Sequence, residues 1–131
     1  MIEIKREKYL KRIRPFYDSE YIKVITGIRR CGKSVLMKQI IDEIKDKGVD
    51  DNHIIVLNLE GKSGEGIKTR KDLEERLDSL TKDSEKYYIF IDEVQHIKDF
   101  EEAIASVRVS YKCSLFVTGS NSKMLHGTVQ G

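Results

Sequence analysis

The stretch Gly27-Ile28-Arg29-Arg30-Cys31-Gly32-Lys33-Ser34 fits the Walker A pattern, two glycines around four free positions followed by Lys and Ser. Each fixed residue type has a task at a nucleoside triphosphate. The glycines let the backbone turn tightly and bring N–H groups up to the α- and β-phosphates, while the helix that follows aims its positive end at the same anion. Lys33 would reach the β- and γ-phosphates, Ser34 would place its hydroxyl on Mg²⁺, and Val35 would continue the phosphate-binding run into the helix. Cys31 lies inside this loop, so bound nucleotide should shield its thiol from alkylation.

A second group stands at Asp92-Glu93, directly after the apolar run Tyr87-Tyr88-Ile89-Phe90-Ile91. An Asp at the end of a hydrophobic strand beside a phosphate loop can hold the Mg²⁺ shell, and the adjacent Glu93 can orient and deprotonate an attacking water; together they match Walker B. Thr118, Ser120 and Asn121 follow another apolar run and are candidates for a polar residue that senses the γ-phosphate. Asn121 equally fits the N-cap of a short helix through Leu125, and the residues leave both readings open. Gly61-Lys62-Ser63 resembles a second phosphate loop but is a decoy, since the position five residues before Gly61 is Val56, inside a strand pattern. His53, His96 and His126 show no metal-ligand spacing.

The elements that would position these groups alternate strand and helix. Met1–Arg14 predicts a basic amphipathic helix with Ile2, Tyr9, Leu10 and Ile13 on one face, ended near Pro15. Its bases, Lys5, Arg6, Lys8, Lys11, Arg12 and Arg14, suit either a nucleic-acid contact or a solvated face on a helix packed over the edge of the sheet; the second is the default for a charge run. Strand Tyr21–Thr26 precedes the loop. Helix Lys33–Lys47 follows it, with Leu36, Ile40, Ile41 and Ile44 as the inner stripe and Gly48 as C′ residue. His53–Glu60 reads as a buried parallel strand. The Gly61–Gly66 segment reads as a flexible loop, Thr69 and Asp72 as a capping box, and Leu73, Leu77 and Leu80 as the inner face of the helix they open. Asp99 and Glu102 read as another capping box for a helix through about Ser110, with Phe100, Ala103, Ile104 and Val107 inward. Ser114–Thr118 is the fourth strand.

Composition agrees with one α/β domain. The chain has 131 residues, 39% hydrophobic and 35% charged, with one Pro and no Trp, which suits a folded domain rather than a disordered chain. A net charge of +2 gives no general attraction to nucleic acid. The two cysteines, Cys31 and Cys113, have no zinc-type spacing; no signal peptide stands at the N-terminus, and the expected location is a reducing cytoplasm without a disulfide. The apolar runs are far shorter than the ~20 residues of a membrane helix.

Val24–Ser34, Ile91–Gln95 and Thr118–Leu125 together resemble the prokaryotic predicted ATPases of the AAA superfamily that carry a C-terminal domain of unknown function. Those proteins combine a Gly-Ile-Arg-Arg-type Walker A loop, an Asp-Glu-hydrophobic-Gln Walker B and a Thr-Gly-Ser-Asn-Ser segment, standing here at Gly27–Ser34, Asp92–Gln95 and Thr118–Ser122. The resemblance implies a three-layer P-loop NTPase fold with a mainly parallel sheet of order 1-4-3-2. Residues 1–18 would be a basic helix and linker, and residues 19–131 a nucleotide-binding core. It also implies ATP and Mg²⁺ as ligands, with catalytic roles for Lys33 and Glu93, Mg²⁺ roles for Ser34 and Asp92, and a sensor role for Thr118, Ser120 or Asn121.

Relatives continue past the Thr-Gly-Ser segment, so the chain is expected to be the amino-terminal part of a longer protein. It would lack the fifth strand beside Tyr21–Thr26. The bare edge would invite a homo-oligomer or be covered by the N-terminal segment. The expected activity is Mg²⁺-dependent ATP hydrolysis, slow without an arginine finger in trans. A nucleotide-gated regulatory or DNA-associated module is the alternative. A P-loop kinase is less favoured because Glu93 suits a water nucleophile.

Overall fold

A computed structural model of the chain describes residues 2–25, 30–119 and 129–130. Its strands are β1 (Lys23–Ile25), β2 (Ile54–Asn58), β3 (Tyr87–Asp92), β4 (Cys113–Thr118) and β5 (Val129–Gln130). All strand pairs are parallel, in the order β2-β3-β4-β1-β5. The expected order 1-4-3-2 is therefore present. The outer strand expected to be missing is begun, because Lys23 and Val24 of β1 pair with Val129 and Gln130. The edge of β1 is thus occupied by the chain itself along that register.

Strand alternation sends neighbouring residues to opposite faces of the sheet, and each face acquires its own core. On one face Ile25, Phe90 and Phe116 pack with Leu10, Ile13, Tyr17, Leu36, Met37, Ile40 and Ile44, from α1 (Ile2–Ile13), the turn after it and α2 (Arg30–Asp46). Phe90 and Phe116 stack with centroids 4.5 Å apart and planes 9° off parallel. On the other face Val24, Ile55, Leu57, Ile89, Ile91, Leu115 and Val117 pack with Leu73 and Leu77 of α3 (Arg70–Leu80) and with Phe100, Ala103, Ile104 and Val107 of α4 (Phe100–Ser110). Helices on both faces of a parallel sheet make the three layers. Each fully buried Ile or Leu here contributes about 1.5–3 kcal/mol relative to exposure.

Several expectations shift in detail. Leu10 and Ile13 join a core cluster on the sheet's face, so α1 lies over the face rather than over the edge. Lys8, Lys11 and Arg12 remain exposed, whereas Arg14 grips Glu43 of α2 with two bonds, Nε to Oε1 at 2.9 Å and a terminal nitrogen to Oε2 at 2.6 Å. That guanidinium holds the Glu43 carboxyl below its usual range. β2, read as buried on both faces, is the outermost strand, and Val56 is 40% exposed while its register partner Phe90 on β3 is fully buried. Gly48 has φ +100°, as a C′ glycine needs.

The Thr69–Asp72 capping box forms, but the one expected at Asp99 does not: Asp99 has φ 52° and its side chain makes no cap hydrogen bond. A capping side chain reaches N2 or N3 from extended backbone, and a left-handed Asp99 does not present that geometry. The segment after β2, expected as a flexible loop, contains a 3₁₀ turn at Lys62–Gly64 that Arg76 clamps by donating to Ser63 O and Glu65 O, each at 2.6 Å. Gly64 is required there because a Cβ would stand 2.5 Å from Asn58 O.

Candidate functional site

Parallel strands deliver their carboxyl ends to one rim of the sheet, and open α/β sheets bind ligands outside that rim. β1 leads toward the segment containing Gly27, Ile28 and Arg29, which lie outside the described residues, as do Ser120 and Asn121. α2 begins at Arg30, three positions before the expected start at Lys33, so Arg30, Cys31 and Gly32 are helical. No proline interrupts this run, and one glycine in a helix costs only about 1 kcal/mol. Helix geometry leaves the amides of Arg30, Cys31 and Gly32 without i−4 partners, at the positive end of the dipole. Lys33 is 3% exposed, while Ser34 and Val35 are exposed.

Lys33 reaches across to the end of β3, where its Nζ lies 3.1 Å from Glu93 Oε2. The other carboxylate oxygen of Glu93, Oε1, accepts from Gln95 Nε2 at 2.8 Å. Glu93 follows β3 with φ 59° and ψ 52°, a left-handed conformation that costs a non-glycine residue on the order of 1 kcal/mol. The turn is held on both sides of that strained residue. Its backbone N–H donates to Thr118 Oγ1 at 2.9 Å, and Val94, the next residue, is fully buried. Thr118, the last residue of β4, donates its own hydroxyl proton to Asp92 Oδ1. One buried threonine therefore ties the two consecutive acids in place.

Lys33, Asp92, Glu93 and Thr118, chosen from residue type and spacing, thus meet at one rim, with oxygen and nitrogen donors suited to phosphates and a hard cation. A sequence model of the AAA domain matches residues 19–131. The chain belongs to the AAA domain family. This AAA domain is 35% identical over 125 residues to an uncharacterized protein of Haemophilus influenzae, an alignment that covers 95% of the chain and 31% of that relative. The chain thus spans about a third of the relative's length. No solved structure matches it.

Gln95 is the site residue that the chemistry of the sequence did not single out. It stood in the Asp-Glu-hydrophobic-Gln stretch used for the resemblance, so the signal was present without a role. Thr118 donates its proton to Asp92 and accepts from the Glu93 amide. His96 and Glu60 form a pair at 2.8 Å on the exposed side of the rim. Among the described residues no three or more His, Cys, Asp or Glu side chains gather as a metal cage, and no helix is long and apolar enough to cross a membrane. The decoy Gly61-Lys62-Ser63 begins the clamped turn after β2 and opens no α-helix.

Proposed function

We propose that this AAA domain binds ATP at the N-terminal turn of α2 and hydrolyses it with Glu93 as general base. The observation that carries the reading is the meeting of a buried Lys33 ammonium and the Glu93 carboxylate at 3.1 Å, beside an Asp92 oriented by Thr118. The Lys33 ammonium and the N-terminal amides of α2 would bind the phosphates, with the loop Gly27–Ser34 wrapping them. Ser34 and Asp92 supply only oxygen donors, and Mg²⁺ takes one or two protein oxygens together with phosphate oxygens and water, so this sparse set fits it and a dedicated cage is not needed. Mg²⁺ held there would neutralise charge developing on the phosphates.

For hydrolysis, Glu93 accepts a proton from water as the water oxygen bonds to the γ-phosphorus. The bond from that phosphorus to the bridging oxygen breaks, and its electron pair leaves with ADP. Thr118 keeps Asp92 oriented and fixes the backbone turn that carries Glu93. ATP, rather than another nucleotide, rests on the family resemblance.

Calorimetric titration of Mg·ATP and ADP tests binding, with Lys33→Ala alongside. Binding by the wild-type chain that is lost in folded Lys33→Ala is the expected result; equal binding by both would refute the placement. Phosphate release should then fall about 10²–10⁴-fold in Glu93→Gln, the usual contribution of a general base.

A further inference from the structure

Both oxygens of the Glu93 carboxylate are engaged by cationic or amide donors, Oε2 by Lys33 and Oε1 by Gln95. A base aimed only at water would not need an ion pair with the lysine that binds phosphate. The pair is sheltered, with Lys33 and Glu93 side chains 4% and 13% exposed, so it is weakly screened. Gln95 also departs from what a structural glutamine should do. Its Oε1 is buried and, among the described residues, without a hydrogen-bond partner, an unfavourable arrangement that persists while its Nε2 holds Glu93. Turning the amide over would put Oε1 against the carboxylate, acceptor against acceptor, so this orientation follows from the chemistry of its neighbour.

We propose that Gln95 is a positioning residue that holds Glu93 on Lys33, so that a phosphate group bound at Lys33 competes with the Glu93 carboxylate for the ammonium. Nucleotide entry and release of the base are then coupled. The carboxylate becomes available to water when phosphate has taken its place on the lysine, which couples base activation to occupancy of the cradle. The inference rests on the nucleotide-binding reading above and adds the group with which the ligand must compete.

ADP gives a readout that does not depend on hydrolysis, and EDTA in the buffer keeps Mg²⁺ charge out of the comparison. ADP affinity is measured by calorimetry for the wild-type chain, Glu93→Gln, Gln95→Leu and the double variant, with thermal unfolding of each. Removing the competing carboxylate in Glu93→Gln should tighten ADP roughly ten-fold, the scale of one hydrogen bond to a charged group. Gln95→Leu should tighten it by a smaller factor, and the double variant should match Glu93→Gln alone, because Gln95 acts through Glu93. The melting temperature of Gln95→Leu should change little, since loss of the bond to Glu93 Oε1 is offset by removal of a buried unsatisfied oxygen at similar volume. Unchanged or weaker ADP binding in Glu93→Gln would overturn the exchange. A further effect of Gln95→Leu in the double variant, or a lowered melting temperature with unchanged affinity, would make Gln95 merely structural. If no folded chain binds ADP at all, the nucleotide-binding reading itself fails and the exchange falls with it.

Discussion

Lys23 provides the sharpest test of the physical reasoning, because it is a fully buried ammonium on the same sheet face as Ile25. Its Nζ donates to Ser19 O at 3.0 Å, lies 3.5 Å from Ser114 Oγ, and stands 4.8 Å from the centre of the Phe116 ring. None of these partners is a carboxylate. Burial, reinforced by the nearby Lys86 charge, pulls its pKa down to about 8 from 10.5. The folded chain therefore disfavours the charged form. Below pH 8 the ammonium is charged in folded and unfolded chains alike, and the full penalty, about 3 kcal/mol at 1.36 kcal/mol per pKa unit, is present. Between pH 8 and 10.5 the folded chain gives up its proton first, and stability should rise, by about 2.5 kcal/mol at pH 10. Lys23→Met should remove this slope. At pH 7 it should also gain about 1 kcal/mol net, after loss of the Ser19 hydrogen bond and the ring contact offsets part of the penalty. Cys113, Tyr17, Tyr88 and Tyr111 are all held above their ordinary values, mainly by burial, so they withdraw stability as pH rises above about 9–10. Both chains share the loss at the three tyrosines, while Cys113 and Lys23 feel each other's charge, so the difference between the chains reports Lys23 together with that coupling. Urea unfolding of the two chains from pH 6.5 to 10 measures it. Parallel curves, or a Lys23→Met chain less stable at pH 7, would refute the claim that this lysine is a net cost to the fold.

Three smaller predictions concern the elements around the site. Gly64→Ala should cost about 1–3 kcal/mol in denaturant unfolding, since its Cβ would meet backbone at 2.5 Å, whereas Gly48→Ala, with open space but φ +100°, should cost about 1 kcal/mol. Thr69→Ala should destabilise the chain by about 1 kcal/mol and Asp99→Ala by less than about 0.5 kcal/mol, because only the first removes a cap hydrogen bond. Arg76→Ala should raise amide exchange across residues 61–67 by freeing the clamped carbonyls, and leave ADP affinity unchanged.

Much of this architecture was legible because its signals are local. Helical stripes such as Leu73 and Leu77, or Ala103, Ile104 and Val107, need only the 3.6-residue period, and all five are buried. What could not be read depends on residues distant in the chain. Lys23 in a strand resembles a solvent-facing residue until Phe116 and Ser114 are known to cover it. Asp99 carried the letters of a capping box, yet its backbone conformation decides whether the side chain can cap, and letters three apart do not encode φ. Arg14 looked like one more base on a charged helix. Only the packing of α1 beside α2 shows that it is bound to Glu43.

Strand order explains why Thr118, rather than any residue nearer in sequence, came to organise the acids. In the order β3-β4-β1 the middle strand is β4, so its last residue stands between the end of β1 and the end of the strand that bears Asp92. A short side chain there, with one donor and one acceptor, can take Asp92 Oδ1 and the Glu93 amide together. Valine would match the shape and supply neither bond. It would leave a partly buried amide without its acceptor and Asp92 without the Thr118 bond, at the position where Glu93 already sits in an unfavourable backbone conformation. The strain at Glu93 is thus sustained from the neighbouring strand, and the placement of its backbone depends on a hydroxyl 25 residues away in sequence.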